Sequence, residues 1–547
     1  MSGVMGGTVA DGVADALASV GVETVFTVPG AHIDDLCLSI ERHPGLRLVV
    51  CRTESGSGMM AIAHVRARPG TIACCLSIPG PGLLDLGTAL MTARAVGVPL
   101  LCIAGGVPSG REGLGLLHET PQVFTTASGA VSEAHRLVPT DDIPAVVGRL
   151  ANATLMPPNT PALLQVPIDV AAAMTVPMAG AVLDSPRRGV GAARGSAIDA
   201  ANSLLNGAAR PLVISGGGAR NAAGAVCALA ERLDAPLVAT VNGRCPMVED
   251  SPRLLPVPAL GVLWDHCDVV VAVGTRLATV FGGDQHGTVR PSLVRVDVDP
   301  RRTEDLQQVT VGLTGRAELL IPDLAPAEPG RRCSTWSPGG LADLRSRCML
   351  ALATADPHAG YTAALHEALA PDAVIALDST QMSYHAMYAL PVASGRLTLS
   401  AGQQGVMGSA LPLALGAKLA QPDRQVVCVT GDGGLVAGLG ELATMVKERL
   451  GVVAVVFNDN AYSEVVLGSR HSDAATYSRL VNPDFVAIAA AFGITATRVR
   501  SPEKLGSILG RFCQRNEPAL IEVELDHCPS LSSIFEVGDY HGSADEH

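Results

Sequence analysis

Solid apolar runs recur along this chain with helical stretches between them: TVFTVPG, LRLVVCRTE, TIACCLSIPGPG, VPLLCIAGG, PALLQVPIDV, then RPLVISGGG, APLVATVN, CDVVVAVGT, SLVRVDVDP, then AVIALDS, RQVVCVTGDGG, GVVAVVFNDN and ALIEVEL. A strand without a polar alternation has no face to offer water, so it must be covered on both sides. The intervening helical segments supply that cover and the length for crossover connections. The pattern confines the chain to parallel sheets wrapped by helices. It comes in three sets, separated by polar Gly/Pro-rich stretches, VLDSPRRGVGAARGS and IPDLAPAEPGRRCSTWSPGG, that read as linkers. The expectation is three doubly wound α/β domains over residues 1–182, 196–325 and 355–535. A length of 547 residues suits that count.

Composition narrows the function. With 48% hydrophobic and 17% charged residues the chain is globular, not disordered. A net charge of −13 argues against nucleic acid or an anionic membrane as the main partner, while small anions remain open to local sites. We find no apolar stretch long enough for a transmembrane helix and no basic, apolar leader in MSGVMGGTVADGVADAL. The 13 cysteines form no CxxC pair and sit in apolar runs such as IACCLSI, as small buried hydrophobes in a reducing cytoplasm would. The expected location is cytoplasmic.

The chemistry concentrates in VTGDGGL, where Asp432 stands among glycines. QVVCVT reads as a buried strand ending at Thr430. Apolar residues at helical spacing from Val436 to Leu450 read as the next helix, capped by Gly451, and VVAVVF as the next strand, followed by Asn458. In such a βαβ unit Asp432 and Asn458 lie just past the carboxyl ends of parallel strands that a right-handed crossover sets close together, where open α/β sheets bind ligands. An acid in a Gly-rich turn makes sense beside phosphate if a hard cation lies between them. Mg²⁺ is typically held by one or two protein oxygens plus substrate phosphates, here from Asp432, Asn458 and a backbone carbonyl of NDNAY. The helix N-terminus near Leu435 aims its N–H groups at the anion. Taken alone, the segment also fits an ordinary βα turn with a helix-capping Asp. Neither GDGGLV nor SGGGARNAAG is the dinucleotide fingerprint G-x-G-x-x-G.

The spacing GDG-x24-N, with Asn460 close behind, resembles the thiamine diphosphate motif of enzymes such as acetolactate synthase and benzoylformate decarboxylase. The resemblance spans nearly the whole chain. It implies a pyrimidine-binding first domain, a central Rossmann-like domain and a diphosphate- and Mg²⁺-binding third domain. It implies Asp432, Asn458 and Asn460 as the metal set, with Gly433, Gly434, Ala461 and Tyr462 beside them at the cofactor. In CRTESGSGMMAIAH, Glu54 takes the place of the glutamate set against the aminopyrimidine ring, where a carboxyl group protonates the ring nitrogen. SAGQQGVMGSALPLALGA is similar to the family's G-x-M-G-x-x-L-P turn, which implies Met407 beneath the cofactor and the Gly405 carbonyl on the pyrimidine amino group. Ser379 and Thr380 in LDSTQMSY are candidate diphosphate contacts.

Substrate-side residues depart from the acetolactate synthases. His32 in VPGAHIDD follows a strand-end turn, and His118 in GLLHETPQVF stands where those enzymes carry Gln; a histidine there can move protons near neutral pH. Leu84-Asp85 replace the usual Thr-Asn after GPG, and Glu133 stands near a usual basic residue. These departures weigh against branched-chain acetolactate synthesis. The reading is decarboxylation of a 2-keto acid, with or without ligation of the remaining carbon to a second carbonyl. An aromatic 2-keto acid decarboxylase and a non-catalytic paralogue that keeps the fold are the alternatives. The resemblance also implies a homodimer or homotetramer with cofactor sites between chains. Whether the central domain holds FAD or ADP is left open.

Overall fold

Three six-stranded sheets, each wholly parallel, form the computed structural model, which describes residues 7–120, 127, 129–175, 194–277, 290–305, 309–324, 334–392, 395–468 and 474–540. The first contains β1 (Thr24–Thr27), β2 (Arg47–Val50), β3 (Ala73–Ser77), β4 (Leu100–Gly106), β5 (Glu133–Arg136) and β6 (Ala162–Pro167), in the order β2-β1-β3-β4-β6-β5. The second contains β7 (Pro211–Ser215), β8 (Leu237–Ala239), β9 (Leu254–Leu255), β10 (Val269–Val273), β11 (Ser292–Asp297) and β12 (Val311–Thr314), in the order β12-β11-β10-β7-β8-β9. The third contains β13 (Val374–Leu377), β14 (Leu397–Leu399), β15 (Val426–Gly431), β16 (Val452–Asn458), β17 (Thr495–Val499) and β18 (Ala519–Glu524), in the order β14-β13-β15-β16-β18-β17. The fold is thus three helix-covered parallel sheets, as the apolar runs require. Central strands such as β4 and β16 are buried along their whole length.

Of the boundaries expected from sequence, 182 and 325 fall outside the described residues, as does most of the first linker. The chain divides into two compact units: Met1–Arg187, Ala368–Ser383 and Leu397–His527 in one, Arg188–Glu367, Tyr384–Arg396 and Cys528–His547 in the other. The first and third sheets therefore belong to one unit, and the second sheet to the other.

Within the first unit the two sheets share a core through the helices Glu54–Ala67 and Ala410–Ala420. Both are apolar nearly all round, as helices buried on every side must be. They approach until backbone meets backbone. A Cβ on Gly416 would stand 2.1 Å from the Met60 carbonyl oxygen. On another side of the Glu54–Ala67 helix, a Cβ on Gly58 would stand 2.3 Å from Ala89 Cβ of the Pro81–Val96 helix. Gly416→Ala should therefore push the helices apart and destabilise this unit by roughly 1–3 kcal/mol, the usual range for overpacking. Chemical denaturation checks it, and an unchanged midpoint would mean that the interface yields freely.

In the second unit, strand order reverses between β7 and β10, and the loops that follow these strands pack directly on each other. Gly216 N–H donates to the Val273 carbonyl at 2.8 Å, and Gly218 N–H to the Gly274 carbonyl at 3.1 Å. None of the twelve described cysteines is in a disulfide. Among the described residues no helix is long and apolar enough to cross a membrane.

The helix expected over Val436–Leu450 is two helices, Asp432–Ala437 and Glu441–Lys447. The break lies at Gly438–Gly440, where a Cβ on Gly438 would stand 2.9 Å from the Gly408 carbonyl oxygen. A close approach to a distant turn outweighs the local helical spacing there. The first helix starts at Asp432 itself, not near Leu435. The second ends before Arg449, which takes the left-handed conformation (φ 54°) expected of Gly451.

Candidate active site

In the third sheet the strand order reverses between β13 and β15, so a crevice is expected at their carboxyl ends. Asp378 follows β13, and Asp432 follows β15 as the first residue of its helix. Parallel pairing of β15 with β16, through Thr430 with Val456 and Gly431 with Phe457, brings Asn458 to the same edge. Asp432 and Asn458 are 3% and 7% exposed. One amide gathers the cluster. Asn482 Nδ2 donates to Asp432 Oδ2 at 2.7 Å, to Asn458 Oδ1 at 3.0 Å and to Asn460 Oδ1 at 3.3 Å. The Asn458 amide is oriented from behind: its Nδ2 donates to Glu522 Oε1 at 2.8 Å, and Glu522 is held by Arg498 Nε at 2.9 Å. Asn460 holds its place in the left-handed region (φ 56°), which asparagine tolerates.

Three side-chain oxygens thus converge on one neutral amide N–H₂ group. Burial raises the Asp432 carboxyl above its usual range, against the hydrogen bonds from Gly433 and Asn482. A buried carboxylate with only neutral donors is costly, and a hard cation would relieve it. The donor set fits Mg²⁺.

Asp378, not singled out from sequence, ties this edge together. Its Oδ2 accepts from Thr430 Oγ1 at 2.9 Å and Gly408 N–H at 3.0 Å, and its Oδ1 accepts from Ser379 N–H at 3.1 Å. Burial, the largest influence, raises its pKa. A Cβ on Gly434 would stand 2.4 Å from Asp378 Oδ2, and one on Gly433 would stand 2.4 Å from the Tyr462 ring. The two glycines admit these side chains to the turn.

The first sheet carries a second cluster, at the ends of β1, β2 and β3. Glu54 opens the Glu54–Ala67 helix, whose N-cap Thr53 accepts from Gly56 N–H at 3.0 Å. The Glu54 carboxylate faces the GPG turn: a Cβ on Gly82 would stand 2.9 Å from Glu54 Oε1 and 2.6 Å from Ser77 Oγ. The same turn supports His118, whose carbonyl oxygen would be 2.6 Å from a Cβ on Gly80. His118 has positive φ (60°), and its ring lies 5.3 Å from that of His32 between centroids. Both Nδ1 atoms are buried without a protein partner. Burial, and next the neighbouring His118, lowers the His32 pKa and keeps it neutral near pH 7.

Three family models match in chain order: the thiamine pyrophosphate enzyme N-terminal TPP binding domain at residues 7–127, the central domain at 198–324, and the C-terminal TPP binding domain at 378–523. The chain belongs to the thiamine diphosphate-dependent enzymes. It is 33% identical over 510 residues to the probable 2-ketoarginine decarboxylase AruI of Pseudomonas aeruginosa, covering 90% of this chain and 89% of the relative. It is 27% identical over 530 residues to the acetolactate synthase isozyme 1 large subunit of Escherichia coli, covering 92% of each. It is 28% identical over 551 residues to the acetolactate synthase large subunit of Parasynechococcus marenigrum, covering 93% of this chain and 86% of the relative.

The structure of this thiamine diphosphate enzyme brings the expected residues into two groups. Asp432, Asn458 and Asn460 form one, with Gly433 and Tyr462 against each other beside it; Ala461 follows Asn460 and makes a bridge to Arg479. Gly405 (φ 56°) lies near Ser379: a Cβ there would stand 3.8 Å from Ser379 Oγ. Met407 is 48% exposed in the single chain. Thr380 is less available than expected, since its hydroxyl donates to Ser383 Oγ at 3.1 Å and accepts from Ser383 N–H. Glu54, His32 and His118 form the second group, and among the described residues no hydrogen bond links the Glu54 side chain to the first. Sequence reasoning missed Asp378, Asn482, Glu522 and Glu464; Glu464 stands two residues beyond Tyr462, and its carboxylate accepts from the Gln381 side-chain amide. Asp378 and Glu464 carry a local signal, as acids within LDSTQMSY and just after NDNAY. Asn482 and Glu522 carry no local signal.

Proposed function

We propose that this enzyme decarboxylates a 2-keto acid with thiamine diphosphate and Mg²⁺, and that the remaining carbon is either protonated or joined to a second carbonyl. The observation that carries the reading is the gathering of the Asp432, Asn458 and Asn460 oxygens on one point at paired strand ends. Those residues would hold the metal. The N–H group of Gly434 and the Ser379 hydroxyl would hold the diphosphate, with Gly433 beside it. When bound, thiamine diphosphate supplies an acidic thiazolium carbon and a sink for the electron pair that CO₂ leaves behind. Glu54 holds a proton at the pyrimidine and gives it up reversibly. The Nδ1 atoms of His32 and His118, buried without a protein partner, would serve the substrate side, where an imidazole can bind a keto or carboxylate oxygen and pass a proton. Met407 and the Gly405 carbonyl would brace the cofactor.

The test is a panel of 2-keto acids with CO₂, aldehyde and acyloin read by mass spectrometry. The relative named 2-ketoarginine decarboxylase makes a guanidino 2-keto acid the first compound to try, followed by pyruvate and an aromatic keto acid. Turnover of none, with cofactor bound, would favour the non-catalytic alternative. The relatives named above give the aromatic alternative no support. EDTA should release the cofactor.

We also infer a cytoplasmic enzyme that works as a homodimer or homotetramer, with each cofactor held by Glu54 of one chain and Asp432 of another. The separation of these residues into two groups within the chain supports this. Two-fold pairing, the commonest oligomer symmetry, would make two equivalent sites. Mixing inactive Glu54→Gln and Asp432→Ala chains after dissociation should then restore activity, because each mixed dimer has one site free of both lesions. No recovery, with mixed dimers confirmed by native mass spectrometry, would place each site within a single chain.

A further inference from the structure

The stretch that carries Asp432 continues into Glu441, which is 1% exposed and points back into the first sheet's side of the same unit. Its Oε1 accepts from Thr53 N–H at 3.0 Å, from Thr53 Oγ1 at 3.0 Å and from Arg52 N–H at 3.2 Å. Its Oε2 accepts from Thr444 Oγ1 at 2.7 Å. Two of these donors are the peptide N–H groups immediately before Glu54. The third, the Thr53 hydroxyl, is itself the N-cap of the 14-residue helix that Glu54 opens. Packing leaves little slack: a Cβ on Gly56 would stand 2.4 Å from Glu441 Oε1, and one on Gly440 would stand 3.3 Å from Arg52 Cβ.

A buried carboxylate is costly unless donors and positive potential compensate it. Here four donors and the N-terminal end of a helix do so. Apolar side chains would join two helical layers at lower cost, and the neighbouring Gly416 contact already does. What the carboxylate adds is a fixed register for the Arg52–Thr53 peptides. We propose that Glu441 is a positioning residue for Glu54. It holds the turn before Glu54 in one conformation, so that the Glu54 carboxyl keeps its aim while it gives up and regains a proton. Since one short segment carries Asp432 at one end and this clamp at the other, it also ties a chain's metal half-site to its Glu54 half-site. The inference rests on the reading of Glu54 given above.

The test uses the full-length chain with Glu441→Ala, Glu441→Asp and Glu441→Gln. Without added cofactor, amide hydrogen exchange over residues 52–57 should speed up about tenfold or more in the Ala variant, because the donors lose their buried acceptor. Exchange in strand β3 should stay unchanged. The Asp variant, one methylene too short, should behave likewise and serves if the Ala variant fails to fold. Gln keeps the acceptor oxygen and should stay within about threefold of wild type. With thiamine diphosphate and Mg²⁺ bound, exchange of the cofactor's thiazolium proton should slow about tenfold or more in the Ala and Asp variants at little-changed cofactor affinity, and Gln should restore it. Unchanged amide exchange at 52–57 would overturn the proposal, since the clamp would then hold nothing. So would faster amide exchange with normal thiazolium proton exchange, since Glu54 would then not need the ordered turn. A failure of the Glu54 reading is seen separately, as normal thiazolium exchange in Glu54→Gln.

Discussion

Asp432→Ala chains should lose Mg²⁺ and thiamine diphosphate together, with affinity down at least about 100-fold, while the fold stands. Mg²⁺ takes few protein ligands, and Asp432 would be the only charged one of the three, so neutral Asn458 and Asn460 cannot make up its loss. The fold should survive for two reasons. Alanine is a good residue for the first turn of the Asp432–Ala437 helix. The substitution also removes a carboxylate that is 3% exposed and meets only neutral donors in the chain itself. The measurement is thermal unfolding with and without thiamine diphosphate plus Mg²⁺. A ligand at about 100 times its Kd stabilises by about 2.7 kcal/mol, a shift easily seen in wild type. It should vanish in the variant, whose unliganded midpoint should be no lower than wild type. Equal stabilisation of both proteins would sink the metal assignment.

Glu54→Gln should keep the cofactor and lose most of the activity, by about 100- to 10,000-fold, the span of a lost general acid–base. Glutamine has the same shape at the head of the Glu54–Ala67 helix and can keep a hydrogen bond to the pyrimidine. It cannot deliver a proton to the ring nitrogen. The discriminating readout is proton exchange at the thiazolium carbon, followed by NMR on the bound cofactor, because it reports the proton step without needing the substrate. Slow exchange at normal cofactor affinity is expected. Exchange at the wild-type rate would mean that Glu54 has been misplaced and that another acid faces the pyrimidine.

The parallel sheets were legible because strand burial on both faces leaves a mark in every residue of a run. VVAVVF and LLCIAGG have no polar side to expose, and no other common architecture covers such strands. Asp432 and Asn458 were legible because each directly follows such a strand, and the crossover rule then sets them at one edge. Glu54 was found through the residues around it, which resemble a family pattern; burial or periodicity alone would not have picked it out. What sequence periodicity could not supply were partners set by contacts between distant segments. Asn482 reaches Asp432 from 50 residues away, Asp378 reaches Thr430 from 52, and Glu441 reaches Thr53 from 388. The helix break at Gly438–Gly440 has the same origin: local spacing favours a continuous helix, but the turn at Gly408 occupies the space it would need. Local sequence determines which segments become strands and helices, because dihedral preference and face burial are properties of neighbours along the chain. Which buried polar group finds which partner is decided only when the layers pack, because desolvation and hydrogen-bond geometry depend on everything that surrounds the group.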